Sequence, residues 1–427
     1  MNGRWSMPRV ITILLAFAWL PVAASGQVGI AFDFSFSNPG ARSLGFGGAF
    51  VALADDATAA FANPAGLTQL VQPEVSLEVR LSGRVGGEST GIGLGTGPGS
   101  RQASFDNEGT GLSFLSFVYP RQKWSIAFHR HLLANSKANF EAQGLFADGP
   151  GALSTFRQDW TELEIVTYGL SGAFKILENL SLGLGVTYFD GLLQGGQDSY
   201  LWDEDSLEGS FGPDSSLSEN LTQGVVFTAD GSEIGFSAGL LWRLADNWSL
   251  GSFYRQGPGF ELEVSVIGGP ASDDPNLPPG AIFTSTHPID YPDGYGAGLA
   301  YRSPGGHLTV SFEWDHVEYS TILDGLGEAA SGARFVADGD ELHLGAEYAF
   351  LGSRPLFALR AGLWRDPNHQ VQGDQGDEIP SGLIGQGEDE PHYAIGFGAV
   401  FKGFQLDMAA DFSQREDTLS ISGIYAW

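Results

Sequence analysis

Few residues in this chain have the type and spacing to do chemistry. His129 and His131 are two apart in an alternating segment, so they share a face and could hold a metal. No third ligand stands near them in sequence, and they read as two histidines inside or at the rim of a larger wall. The glycines of "GIGLGTGPG", Gly91 to Gly99, are spaced like a phosphate loop but lack the Lys-Ser/Thr that would follow. That run is expected to be a flexible outer loop. Serines and histidines occur near strand ends, yet none stands in a recognisable nucleophile setting. The absence of cysteine excludes disulfides, thiolate metal sites and a cysteine nucleophile. No catalytic residue, metal or cofactor is assigned from the sequence.

What remains is charge in alternating segments. From Leu308, "LTVSFEWDH" sets Leu308, Val310, Phe312 and Trp314 against Thr309, Ser311, Glu313 and Asp315. "FQLDMAADF" opposes Phe404, Leu406, Met408, Ala410 and Phe412 to Gln405, Asp407, Ala409 and Asp411. "ELHLGAEYAF" opposes Leu342, Leu344, Ala346, Tyr348 and Phe350 to Glu341, His343, Gly345 and Glu347. A strand has period two, so each is one apolar face and one acidic face.

Strands are expected near 74–85, 111–119, 123–133, 161–174, 180–191, 233–244, 247–256, 293–302, 308–319, 341–351, 356–365, 392–402, 404–413 and 418–427, an even number. Their connectors alternate. Tight turns such as Pro120-Arg121-Gln122, Leu177-Glu178-Asn179, Ala245-Asp246 and Gly403 follow the even strands. Long segments (86–110, 134–160, 192–232, 257–292, 320–340, 366–391) follow most of the odd ones. Short turns on one rim and long loops on the other describe an all-β transmembrane antiparallel barrel of about 14 strands, apolar face to lipid. A half-solvated soluble sheet has the same local alternation but no reason to alternate its connectors. The chain ends on "TLSISGIYAW", with Leu419, Ile421, Tyr425 and Trp427 on one face, an ending similar to the signal that hands barrels to their assembly machinery.

Composition agrees. The 427 residues hold 61 glycines and 30 phenylalanines, and no apolar run after the leader reaches the length of a membrane helix. The leader, residues 1–26, has Arg4 and Arg9, an apolar run and small residues near Ala24 and Gly26, and reads as a signal peptide. The net charge is −30, and loss of the two leader arginines makes it more acidic. So acidic a chain is no partner for nucleic acid. The loops from Asp203, Ala271 and Gly373 are acidic and read as a solvated rim that could share divalent ions with lipopolysaccharide. Trp202 and Phe211, in the long segment 192–232, read equally as an apolar landing site or as loop residues packing on one another.

Residues 27–72 precede the barrel, 73–427, and contain "GARSLGFGGAFVALADDATAAFANPAGL". Asp56 stands as a cap before Ala57–Phe61, and Asn63 with Pro64 repeats the device. Gly45, Gly47 and Gly48 permit sharp bends and close approach. Short helices without a core must pack on something, and the lumen is available; the segment reads as a plug.

This segment resembles the N-terminal hatch of the FadL family of outer-membrane channels, which includes long-chain fatty-acid and TodX-like aromatic-hydrocarbon transporters. The matching positions are Gly45, Gly47, Gly48, Asp55, Asp56 and Asn63-Pro64-Ala65. The resemblance implies a monomeric, non-enzymatic barrel passing hydrophobic molecules through a lateral gap in its wall, passively. Family fatty-acid channels hold the carboxylate with basic groups. The lumen-facing arginines here, Arg243, Arg255 and Arg360, share the lumen with Glu313, Asp315, Glu341, Glu347, Asp407 and Asp411, and each is expected to pair with a carboxylate. A similar segment occurs in PorV-like barrels that shuttle secreted proteins, the alternative reading.

Overall fold

The computed structural model describes residues 37–83, 101–145, 154–202, 221–272, 275–324, 334–369, 372–373, 389–414 and 416–427. Its wall is one antiparallel sheet that closes on itself. Chain order gives β1 (Glu74–Gly83), β2 (Arg101–Pro120), β3 (Trp124–Leu145), β4 (Ser154–Leu177), β5 (Leu180–Trp202), β6 (Leu221–Ala245) and β7 (Trp248–Arg255). Then come the hairpin β8 (Gly259–Gly268) and β9 (Ile282–Asp290), followed by β10 (Gly294–Arg302) and β11 (Leu308–Val317). The short β12 (Arg334–Phe335) pairs with β15 (Gln372–Gly373) away from the wall. The wall continues with β13 (Gly339–Phe350), β14 (Leu356–Asp366), β16 (Glu390–Phe401), β17 (Phe404–Phe412) and β18 (Asp417–Ala426).

Neighbours in sequence pair around the ring, β18 joins β1 from Glu74↔Ala426 to Gly83↔Asp417, and β5 joins β6, giving a closed barrel of fourteen strands. The hairpin β8–β9 prolongs β7 and β10, and β8 pairs with the upper part of β6 from Gln223↔Gly268 to Thr228↔Glu263. Each expected strand coincides with an observed one. The difference is length. Segments read as long loops, 134–160 and 192–232 above all, are largely strand, because β2 to β6 run 20, 22, 24, 23 and 25 residues. A tilted membrane strand needs only about 9–11. Period-two alternation fades outside lipid, where both faces meet water, so the sequence pattern stopped at the membrane boundary.

The faces are those the alternation implied. Phe312 is 47% exposed while its neighbour Glu313 is 0%, and Leu344, Leu359, Phe397 and Met408 are exposed outward like Phe312. Near the short turns an aromatic girdle forms from residues such as Trp124, Trp248, Tyr301, Phe401, Phe404 and Tyr425, with the Trp248 and Tyr301 rings 4.9 Å apart. Amphipathic aromatics favour that depth of a bilayer.

Inside, residues 37–72 pack against the inward faces. α1 (Ala41–Gly45), α2 (Ala59–Ala62) and a 3-10 helix (Pro64–Gln69) are buried along most of their length. Phe46, Phe50, Ala54, Ala57, Leu67 and the wall residues Val118 and Ala127 share one core cluster. Asn63 does what its position suggested: its side chain accepts from Ala65 N at 3.1 Å with Pro64 at the first helical position. Asp56 acts earlier than expected. It accepts from Thr58 N at 2.9 Å, and the helix starts only at Ala59.

Candidate functional site

Irregular backbone buried in a lumen must find partners for its amides and carbonyls. Here the wall supplies them. Ser116, Ser125, Ser171 and Ser249, from four strands, donate to the carbonyls of Ala57, Leu67, Ala60 and Ala52 at 2.9, 2.8, 2.8 and 2.7 Å. Glu313 accepts from Val51 N at 2.7 Å and Glu78 from Gly40 N at 2.9 Å. Asn63 Nδ2 donates both to Val51 O and to Leu240 O of β6. The seat also needs room. A Cβ at Gly362 of β14 would meet the backbone of Phe46 and Gly47, and one at Gly183 of β5 would meet Pro64 and Ala65. Gly47 (φ 62°) and Gly48 (φ 83°) occupy left-handed backbone that the tight approach requires, and Gly45 passes the Cα of Gly396.

Arg42 ties this segment together and to the wall. It reaches Asp55 at 2.5 Å, Asp56 at 3.3 Å and Glu347 of β13 at 3.5 Å. Burial pushes the Asp55 carboxyl up, but Arg42 and Arg302 outweigh it and hold it down at about 2. Burial likewise pushes Asp56 up, and there Arg42 offsets only part of the effect.

The three arginines part ways. Arg360 is paired as expected, with Glu347 and Asp407, both at 2.7 Å. Arg243 lies exposed at the short-turn rim, away from the interior. Arg255, 9% exposed, forms no ion pair among the described residues. Its guanidinium sits 3.8 Å from the Phe61 ring centroid and donates to Phe61 O at 3.2 Å. The expected pairing therefore fails at Arg255, because Phe61 of α2 covers it instead of a carboxylate.

Phe61 also packs edge-on against His131 at 4.3 Å and His129 at 5.8 Å. Both histidines are buried, and neither ring nitrogen of His129 nor Nδ1 of His131 has a hydrogen-bond partner among the described residues. Gly169 leaves space for the His129 ring. Around them Phe61, Phe114, Leu133, Ile165, Phe189 and Tyr291 form an apolar cluster. An apolar lining that ends in a buried guanidinium and two imidazoles is suited to a long apolar molecule with an acceptor at one end. Trp202 is the last described residue of β5, without a described side chain, and Phe211 lies outside the described residues, as do the acidic loop from Asp203 and most of that from Gly373, whereas the loop from Ala271 is described except at 273–274.

Beside this cluster the backbone pairing of the wall is interrupted among the described residues. Between β2 and β3 the register runs from Pro120↔Ser125 to Phe114↔His131 and resumes at Asn107↔Ala138 in the same alignment. Within the parting, the carbonyl of Leu112 accepts from the Arg130 side chain. A second parting, between β6 and the junction of β7 with β8, is filled by Phe260 against Gly191 and Gly231.

Comparison with known proteins resolves the family. Residues 135–411, more than half of the chain, match the family described as outer membrane protein transport protein (OMPP1/FadL/TodX). The chain belongs to this family. No curated protein matches it. Among solved structures, this FadL-family barrel is similar to a Pseudomonas aeruginosa FadL homologue (TM-score 0.62, 15% identity, covering 93% of this chain and 99% of that one). It is also similar to the P. putida toluene transporter TodX (0.54, 15%, 92% and 99%) and the CymD monoaromatic hydrocarbon channel (0.54, 16%, 92% and 99%). At such identities the likeness is one of fold. The protein is an integral outer-membrane barrel of a family that transports hydrophobic compounds, and its relatives are channels rather than enzymes.

Proposed function

We propose that this barrel, acting as a monomer, carries long-chain fatty carboxylates passively, with residues 27–72 as its hatch and the β2–β3 parting as the lateral exit. The observation that carries the reading is the position of Arg255, buried at the end of an apolar cluster and held, among the described residues of the segment, by Phe61. The bond from Arg255 to the Phe61 carbonyl has charge on the donor alone, whereas a carboxylate brings the opposite full charge and can accept two parallel N–H bonds from a guanidinium. An incoming head group therefore outcompetes the Phe61 carbonyl and frees the hatch helix α2. The tail lies against Phe114, Leu133 and Ile165, beside the parted strands. A neutral hydrocarbon would fill the same lining but has nothing to offer Arg255, His129 or His131. Two external partners complete the reading: lipopolysaccharide around the rim, and the barrel-assembly machinery at the C-terminal strand.

The test is uptake of labelled oleate and, in parallel, toluene by a bacterial host lacking its own fatty-acid channel and expressing this barrel at verified surface levels. Saturable oleate uptake is expected. Toluene uptake alone would move the substrate class to hydrocarbons, and uptake of neither by folded barrel would overturn the proposal in favour of the protein-shuttle role.

A further inference from the structure

On the lumen side of β11 and β13, cross-strand register sets Asp315 opposite Glu341 and Glu313 opposite His343. These four inward residues form a square, since directly opposed Cβ atoms lie about 4.5–5.5 Å apart. Glu313 is spoken for by Val51 N at 2.7 Å and Asn38 Nδ2 at 3.4 Å. The other two carboxylates share a single imidazole: His343 Nε2 is 3.2 Å from Glu341 Oε2 and 3.7 Å from Asp315 Oδ2. Tyr319 Oη donates to the second Glu341 oxygen at 3.4 Å. Asp315 Oδ1 is buried without a hydrogen-bond partner among the described residues.

Two further facts fix the chemistry. His343 Nδ1 lies 2.7 Å from Gly47 O of the hatch. A carbonyl only accepts, so Nδ1 carries the proton and Nε2 is the nitrogen turned toward both carboxylates. Metal-bound histidines are oriented in this way, the far nitrogen donating to a backbone carbonyl. Moreover, three buried carboxylates, Glu313, Asp315 and Glu341, face at most one imidazolium and the guanidinium of Arg255, and a buried excess of negative charge is costly without a further cation.

We propose that Asp315, Glu341 and His343 bind a divalent transition cation, zinc best matching the donors, and that this ion braces the hatch through His343 and Gly47. Their ligand atoms all lie within 4.8 Å of one another. Four-coordinate zinc with bonds near 2.0–2.2 Å holds its ligands about 3.3 Å apart, which the 3.2 and 3.7 Å separations bracket. One nitrogen and two carboxylate oxygens leave a fourth position for water. Calcium, which wants six to eight oxygens, fits the set poorly. The site does not depend on what the barrel transports.

The test uses full-length barrel in detergent, stripped with a chelator and titrated with Zn2+, then with Co2+ as a spectroscopic probe. Saturable Zn2+ uptake is expected, together with the visible absorption of four-coordinate Co2+. His343→Gln should abolish the Co2+ band, and Glu341→Gln should weaken binding at least tenfold, while His129→Gln leaves both unchanged. Heat-modifiable migration reports that each variant is folded. Absence of saturable uptake by the parent protein, equal binding by His343→Gln, or equal loss in His129→Gln would each overturn the site. In that event the imidazole is simply a proton-bearing partner of the two carboxylates.

Discussion

Arg255 of β7 and Phe61 of α2 hold each other twice, by a guanidinium 3.8 Å from the ring centroid and by a hydrogen bond to the carbonyl of the same residue. A buried cation of the wall is thereby fastened to the internal segment.

Arg255→Met removes the charge and keeps an apolar stem. Hydrogen bonds to charged groups contribute about 1.5–3 kcal/mol, so oleate affinity of the purified barrel is expected to fall by one to two orders of magnitude. Toluene binding should be unchanged. Equilibrium binding of both ligands checks this, and equal loss of both would remove Arg255 from head-group recognition.

Deleting residues 40–67 should leave a heat-modifiable barrel with raised ion conductance in planar bilayers, since the segment fills the lumen with side chains such as Phe46 and Phe50. Unchanged conductance would dismiss the hatch. Gly362→Val reaches the same end more gently. Its side chain would enter the backbone of Phe46 and Gly47, so faster proteolysis within the segment is expected while the wall stays intact.

Phe312→Lys places an ammonium on the lipid face of β11. If the residue lies at the bilayer midplane, the cost is about 2–4 kcal/mol, measurable as a lowered denaturant midpoint for folding into lipid vesicles. Undisturbed stability would mean that this face does not meet lipid.

Acid should loosen the internal segment through Asp55. Its carboxyl is held at about 2 in the folded protein, below the ordinary aspartate value of about 3.9. A depressed folded value stabilises fully above the unfolded one, and the contribution disappears as pH falls from about 4 through about 2, at roughly 1.4 kcal/mol per unit of separation. Protection of the segment from an acid-active protease should therefore fall across that window, and Asp55→Asn should flatten the dependence. A variant with the parent's profile would assign the effect to another group.

How much of this could be read in advance follows from the range of each signal. Alternation along "LTVSFEWDH" placed Phe312 toward lipid and Glu313 inside because period two is a local property. The Asn63-Pro64 cap was equally local. Register is not. That Asp315 faces Glu341 depends on which strand β11 meets and at what offset, and no spacing within either strand encodes it. Arg255 faces inward as its alternation implies, but its lack of an ion pair among the described residues reflects Phe61, far away in sequence. The serines that hold the carbonyls of the internal segment carry no sequence signal, because a lone serine on a polar face has no pattern. The glycines of the seat, Gly183 and Gly362, looked like composition rather than sockets.

The strands β2 to β6 stand together on one side of the ring, while β11, β13, β14, β16 and β17 opposite them have only 9 to 12 residues. At about 3.4 Å per residue, the 25 residues of β6 extend far past a bilayer that β11 barely crosses. The cell surface therefore meets a scoop rather than a funnel. One flank rises as continuous strand like a parapet, whereas across the ring the strands themselves stop near the level of the lipid heads.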